Sequence, residues 1–179
     1  EVLKAIDEAD VVIMGPGLGR APQTAAFLKV CLREIASLRK RVVLDADALQ
    51  LIAGSALSIK GIDAVITPHP GEAATMLGVS TAEIQADRFS SVKKLYDKYG
   101  VVSLLKGAGT LVWDGAQGGI IARGTPYLGT AGSGDVLSGI IATCLRSCAT
   151  PFDAAIRGAY IQAVGGERAV SYTHLRAHE

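Results

Sequence analysis

The stretch Gly129-Thr130-Ala131-Gly132-Ser133-Gly134-Asp135-Val136-Leu137-Ser138-Gly139 leads small residues straight into an apolar helical pattern, Val136 to Leu145. Backbone N–H groups at such a helix start lack intrahelical partners, and the helix dipole favours an anion there. Gly132 and Gly134 tolerate backbone angles that other residues resist, so a phosphate can approach closely. Asp135 lies inside this anion site. A carboxylate beside a phosphate is unfavourable unless it has chemistry to perform, such as accepting a proton or holding a metal. The plain alternative is that Asp135 caps the helix, although a cap alone does not require the flanking glycines.

Outward from this stretch, apolar strands alternate with helices. Val11–Met14, Val42–Leu44, Ala64–Thr67 and Val101–Leu105 read as buried strands. Helical spacing runs through Ala21–Leu38, Ala82–Tyr99, Val136–Leu145 and Phe152–Val170. Thr110–Trp113 and Gly118–Ala122, with Asp114-Gly115 between them, read as a hairpin. The expected fold is α/β: a mostly parallel sheet covered by helices on both faces, with a late antiparallel hairpin at one edge.

Composition narrows the functional classes. A chain of 179 residues, 49% hydrophobic and 20% charged, forms a folded domain with a sizeable core. The net charge of +1 gives no support for nucleic-acid or membrane binding through bulk charge. No apolar run reaches a membrane span, and no signal-peptide pattern is visible. Three cysteines without a secretory mark fit reduced thiols and a cytoplasmic setting. Cys144 and Cys148, four apart on a helix, read as packing residues.

In open parallel sheets, ligands bind beyond the carboxyl ends of the strands. Polar motifs follow each strand here: Gly15-Pro16-Gly17-Leu18-Gly19, Asp45-Ala46-Asp47, Thr67-Pro68-His69-Pro70-Gly71-Glu72 and Lys106-Gly107-Ala108-Gly109-Thr110. Together they make a site where each alone would be weak evidence. His69 is either a site residue or a turn histidine restrained by two prolines. Glu72 is either a first-turn acid serving the helix dipole or a metal ligand through water. The first glycine loop resembles a dinucleotide-binding turn, but the sixth position of that fingerprint is Arg20 rather than glycine.

In this order, Gly-Pro-Gly-Leu-Gly, Asp-Ala-Asp-Ala-Leu, Thr-Pro-His-Pro-Gly-Glu, Leu-Lys-Gly-Ala-Gly-Thr and Gly-Ser-Gly-Asp-Val-Leu-Ser-Gly resemble the ADP/ATP-dependent NAD(P)H-hydrate dehydratases of the ribokinase-like superfamily. The resemblance covers roughly residues 2–170. It implies a lyase that repairs hydrated NADH or NADPH, driven by ADP or ATP with Mg2+. It implies nucleotide contacts at Lys106, Gly107, Ala108, Gly109, Thr110, Gly132, Ser133 and Gly134. Gly17, Gly19, His69 and Asp135 are implied around the hydrated nicotinamide. By the same resemblance Asp135 is the base that deprotonates the ring hydroxyl as a phosphoryl group is transferred to it. Mg2+ is expected to bridge phosphate oxygens mostly through water, with Glu72 as its protein contact. Family members often assemble into homo-oligomers, so that is expected too.

Residues 1–170 are therefore expected to form the dehydratase domain, without the family's usual N-terminal part. Residues 171–179 read as a non-native tail, and His174 and His178 as a chance pair without a metal role. Two other functions stay open: a ribokinase-like kinase acting on a vitamin precursor, and an inactive, truncated nucleotide-binding module.

Overall fold

The computed structural model describes residues 1–55 and 57–176, with side chains through residue 171. Helix α1 (Val2–Glu8) precedes strand β1 (Val11–Met14). Then follow α2 (Pro22–Ser37), β2 (Arg41–Leu44), α3 (Asp47–Ala53) and β3 (Ala64–Ile66). Three helices, α4 (Pro70–Leu77), α5 (Thr81–Ala86) and α6 (Arg88–Tyr99), lead into β4 (Val102–Leu105). The hairpin β5 (Thr110–Trp113) and β6 (Gly118–Ile121) precedes a 3-10 turn, Pro126–Gly129. Helices α7 (Ser133–Ser147) and α8 (Pro151–Arg176) complete the chain.

The strands form one sheet in the order β1-β2-β3-β4-β5-β6. The first four are parallel, with Val11 opposite Arg41, Val42 opposite Ala64, and Val65 opposite Val102. β5 and β6 join antiparallel, with Ser103 opposite Trp113 and Thr110 opposite Ile121. This is the architecture the alternation of strands and helices predicts.

The side-chain alternation of a strand explains the two cores. Val42, Leu44, Ala64, Ile66 and Leu105 pack with α2, α3, α4 and α6 on one face. Val43, Val65, Val102, Leu104 and Val112 pack with α7 and α8 on the other. A strand apolar on both faces reads as an unbroken apolar run, and burying each large aliphatic side chain contributes about 1.5–3 kcal/mol. Helix α7 faces its core with Leu137, Ile141, Cys144 and Leu145, one stripe at helical spacing. Its last carbonyls are met by the Arg41 guanidinium, which donates to Leu145 O at 2.6 Å and Cys148 O at 2.8 Å.

Several elements differ from expectation. The helical pattern over residues 82–99 is two helices, not one. Asp87, at φ −144° and ψ 84°, breaks the run, and its carboxylate accepts from Ser90 N as the cap of α6. Helices α1, α3 and α4 are short and carry no long apolar stripe, so periodicity passed over them. Helix α8 continues to Arg176, beyond the expected end at Val170. His178 lies outside the described residues, as does the side chain of His174. No helix among the described residues is long and apolar enough to cross a membrane.

Candidate active site

The loops after β2, β3 and β4 and the start of α7 converge at the carboxyl end of the parallel strands. They border a cavity of about 870 Å³ whose lining includes Asp45, His69, Lys106–Thr110 and Gly132–Asp135. Its outer wall comes from the segment after β6 and from Ala159, Gln162 and Ala163 of α8. Every nucleotide contact implied by the resemblance thus lies on one cavity. Gly17 and Gly19 are exposed on the loop after β1, outside this lining. That loop is anchored to α3: Asp47 accepts from Gly19 N at 2.9 Å and from Arg20 Nε at 2.6 Å. The Arg20 hydrogen bond, chiefly, lowers the Asp47 carboxyl below its ordinary range.

The α7 start carries the features of an anion site. Gly132 adopts φ +84° and occupies the N-cap position. Asp135 is therefore not the cap; it is the third residue of the first turn. It is exposed, and among the described residues its carboxylate makes no hydrogen bond or ion pair. Val136 N bonds Gly132 O, whereas the N–H groups of Gly134 and Asp135 have no backbone acceptor among the described residues. Gln162 of α8 donates to Ser133 O at 2.6 Å, which fixes the turn. A Cβ added at Gly134 would stand 3.3 Å from Lys106 Nζ and 3.6 Å from Asp45 Oδ2. The glycine leaves open a polar cradle lined by an ammonium and N–H donors, the donor set a phosphate requires.

His69 and Glu72 form the capping box of α4, the structural use considered for each. His69 Nδ1 accepts from Gly71 N at 3.0 Å and Glu72 N at 3.3 Å, capping α4. Glu72 Oε2 returns the bond, accepting from His69 N at 2.8 Å. An accepting Nδ1 places the proton of the neutral ring on Nε2. The ring still borders the cavity. Glu72 is buried, and its Oε2 lies 3.8 Å from Lys106 Nζ. Among the described residues no three His, Cys, Asp or Glu side chains cluster as a metal site.

Two side chains organise this region: Asp45, from the polar motif after β2, and Arg88, which belongs to no motif. Asp45 is 1% exposed at the end of β2. Its Oδ1 accepts from Lys106 Nζ and from Ala46 N, both at 2.9 Å, and its Oδ2 accepts from Ser138 Oγ at 2.9 Å. Ala46 next to it has φ +49° and ψ −122°, a conformation costing about 1–3 kcal/mol in a residue with a side chain. Gly15 backs this corner so closely that a Cβ there would overlap Asp45 O at 1.7 Å. Arg88, at the start of α6, holds the Lys106 loop. It donates to Ala108 O, and at 3.3 Å to Leu105 O and Lys106 O. A Cβ on Gly107, whose φ is +144°, would meet the Arg88 guanidinium at 2.8 Å. Arg88 carries no local signature, and the motif that contains Asp45 does not disclose its partners; only the bonds each makes in the fold reveal their roles.

The sequence profile of the NAD(P)H-hydrate dehydratase family matches residues 1–177. The chain belongs to this family. It is 45% identical over 156 residues to the bifunctional NAD(P)H-hydrate repair enzyme of Escherichia coli, covering 87% of this chain and 29% of that protein. It is 38% identical over 160 residues to the ADP-dependent (S)-NAD(P)H-hydrate dehydratase of Neisseria meningitidis, covering 87% of this chain and 53% of that enzyme. The chain thus spans about half or less of these relatives. Among solved structures, a ribokinase-like superfamily protein from Enterococcus faecalis superposes with a TM-score of 0.84 at 23% identity, over 95% of this chain and 59% of that one. The Bacillus subtilis ADP/ATP-dependent NAD(P)H-hydrate dehydratase, co-crystallised with ATP and Mg2+, gives 0.76 at 24% identity, over 90% and 58%. These two likenesses establish the ribokinase-like fold.

Proposed function

We propose that this chain carries out the nucleotide-dependent dehydration of hydrated NADH or NADPH. The observation that carries this reading is the convergence of the Lys106–Thr110 loop with the Gly132–Asp135 turn, whose Asp135 carboxylate is unengaged among the described residues, in a chain of the dehydratase family. Lys106 and the N–H groups of Gly134 and Asp135 hold the phosphates of ADP or ATP. Lys106–Thr110 borders the nucleotide, and His69 lies on the side facing the hydrated ring, with Gly17 and Gly19 on the adjoining loop.

Asp135 has the chemistry of a base: an exposed carboxylate without a competing partner among the described residues. It takes the proton from the ring hydroxyl as that oxygen bonds to the terminal phosphorus, and the bond to the nucleotide's bridging oxygen breaks. The ring nitrogen's lone pair then expels phosphate, a better leaving group than hydroxide, and loss of the neighbouring C–H proton restores the double bond. The α7 start stabilises charge on the transferring group through fixed N–H donors. Gly134 and Lys106 fit a metal–phosphate complex, because they would present N–H and ammonium donors to its phosphates. Mg2+ there would neutralise charge on the phosphates, with Glu72 the nearby carboxylate available to a bound water. Small-molecule chemistry of this kind, with no nucleic acid or membrane as partner, suits a cytoplasmic protein; assembly into homo-oligomers belongs to the same reading.

The test supplies hydrated NADH, Mg2+ and either ADP or ATP to the full-length protein. Return of NADH absorbance with phosphate release is expected. If neither nucleotide restores absorbance while a vitamin precursor is phosphorylated, the dehydratase reading is wrong and the protein is a kinase.

A further inference from the structure

The geometry points to Asp45 as a positioning residue that holds Lys106 and the first turns of α7 in one register, so that ammonium and helix N–H groups address the same phosphate. This inference rests on the proposed use of the Gly132–Asp135 turn as the phosphate site.

One buried carboxylate joins the two halves of that site. Lys106 belongs to the loop after β4, and Ser138 lies one turn into α7. Asp45, on neither, bonds both: Oδ1 to Lys106 Nζ and Oδ2 to Ser138 Oγ, each at 2.9 Å. The Ala46 N–H fixes the carboxylate plane from behind. Both oxygens are engaged, and Asp45 is 1% exposed, so water does not compete for it. Lys106 is 19% exposed at its side chain and retains a face toward the cavity. An ammonium on four flexible carbons is a poor positioner by itself; a fixed carboxylate supplies the missing constraint. Glu72, 3.8 Å from the same ammonium, is the place Lys106 would move to if Asp45 lost its charge. That move draws the ammonium away from Gly134 and toward α4.

Two effects then oppose one another in binding. Removing a negative charge near the phosphate favours the nucleotide, while displacing Lys106 disfavours it. Turnover has no such compensation, because the developing charge needs the ammonium in place. Asp45→Asn keeps the shape and hydrogen-bonding capacity and removes the charge. In the full-length protein it is expected to lower kcat at least about tenfold and to change the Kd of Mg–ADP less than about threefold. Lys106→Gln alone is expected to lower kcat by at least as much, and the double variant to be no slower than Lys106→Gln. Crystal structures of the parent and Asp45→Asn proteins with Mg–ADP should show the Lys106 ammonium displaced toward Glu72, with α7 unmoved.

Multiplying rather than overlapping losses in the double variant would overturn the inference, as would an undisplaced Lys106 in the Asp45→Asn crystal. An equal kcat in parent and Asp45→Asn proteins would also overturn it. Should the parent fail to restore NADH absorbance with either nucleotide, the dehydratase reading falls, and the two crystal structures still decide whether Asp45 positions Lys106. If Asp45→Asn does not fold, Ser138→Ala and Lys106→Gln with their double variant test the same linkage from its two other ends: Ser138→Ala is then expected to slow turnover only where Lys106 is present.

Discussion

At the residue scale, Asp135 and Gly134 make distinct demands on the same turn. Asp135→Asn keeps the shape and removes proton acceptance, so kcat is expected to fall by about 10²–10⁴-fold while nucleotide affinity holds. A carboxylate serving only the helix dipole would behave oppositely, losing about 0.3–1 kcal/mol of stability with near-normal turnover. Steady-state kinetics with calorimetry separates the two. Gly134→Val puts a branched side chain where even an added Cβ would stand 3.3 Å from Lys106 Nζ. Calorimetry should detect no Mg–ADP binding by this variant, while its circular dichroism stays that of the parent. Both positions were legible in the sequence, because a glycine-flanked acid at a helix start is a local pattern. Asp45 was legible as part of the polar motif after β2, but not as the partner of Lys106 and Ser138. Its role depends on Lys106 and Ser138, 61 and 93 residues away, and no spacing rule spans such distances.

At the element scale, the loops are held by side chains from helices that motif reading did not connect to them. Arg88→Ala removes the guanidinium that bonds the carbonyls of Leu105, Lys106 and Ala108. Affinity for Mg–ADP is expected to weaken about tenfold, a change of about 1.4 kcal/mol, in calorimetry. The segment after β6 is tied to α8 in a similar way. Glu167 accepts from the Arg123 guanidinium and, at 2.7 Å, from Gly124 N. These bonds, led by that to Arg123, lower its carboxyl from the ordinary 4.5 to about 2. A depressed folded-state pKa gives stability that is complete above pH 4.5 and is lost as pH falls through about 2. Proteolysis within residues 122–126 should therefore accelerate across that window in the parent. In Glu167→Gln it should be fast throughout, and salt should narrow the difference because the pair is exposed. Strands and the long amphipathic helices were legible because each carries several apolar residues at one period. Asp87 ended one such pattern early, since a polar cap inside an otherwise helical run breaks it without changing the period around it.

For the whole molecule, two apolar faces on one sheet account for the fold, and β1 stands at its edge among the described residues. Ile13 on that strand is 42% exposed. An apolar edge strand invites pairing with another chain. Ile13→Lys in the 179-residue chain is expected to reduce concentration-dependent association measured by light scattering, with the thermal midpoint little changed. The alternating order of elements and the hairpin made the overall architecture readable, whereas the extent of α8 was not, because polar residues after Val170 carry no apolar stripe to extend. The Asp45 carboxylate has a further consequence, one of timing. A polypeptide leaving the ribosome lacks the proposed phosphate pocket until α7 has been synthesised and docked over β1 and β2. On the proposed site, nucleotide cannot template the early steps of folding and would capture only the finished domain. At a hundredfold excess over Kd that capture is worth about 2.7 kcal/mol by mass action. If the proposed nucleotide site is right, chains without a docked α7 receive none of that stabilisation and are expected to be cleaved faster than the folded domain when nucleotide is present.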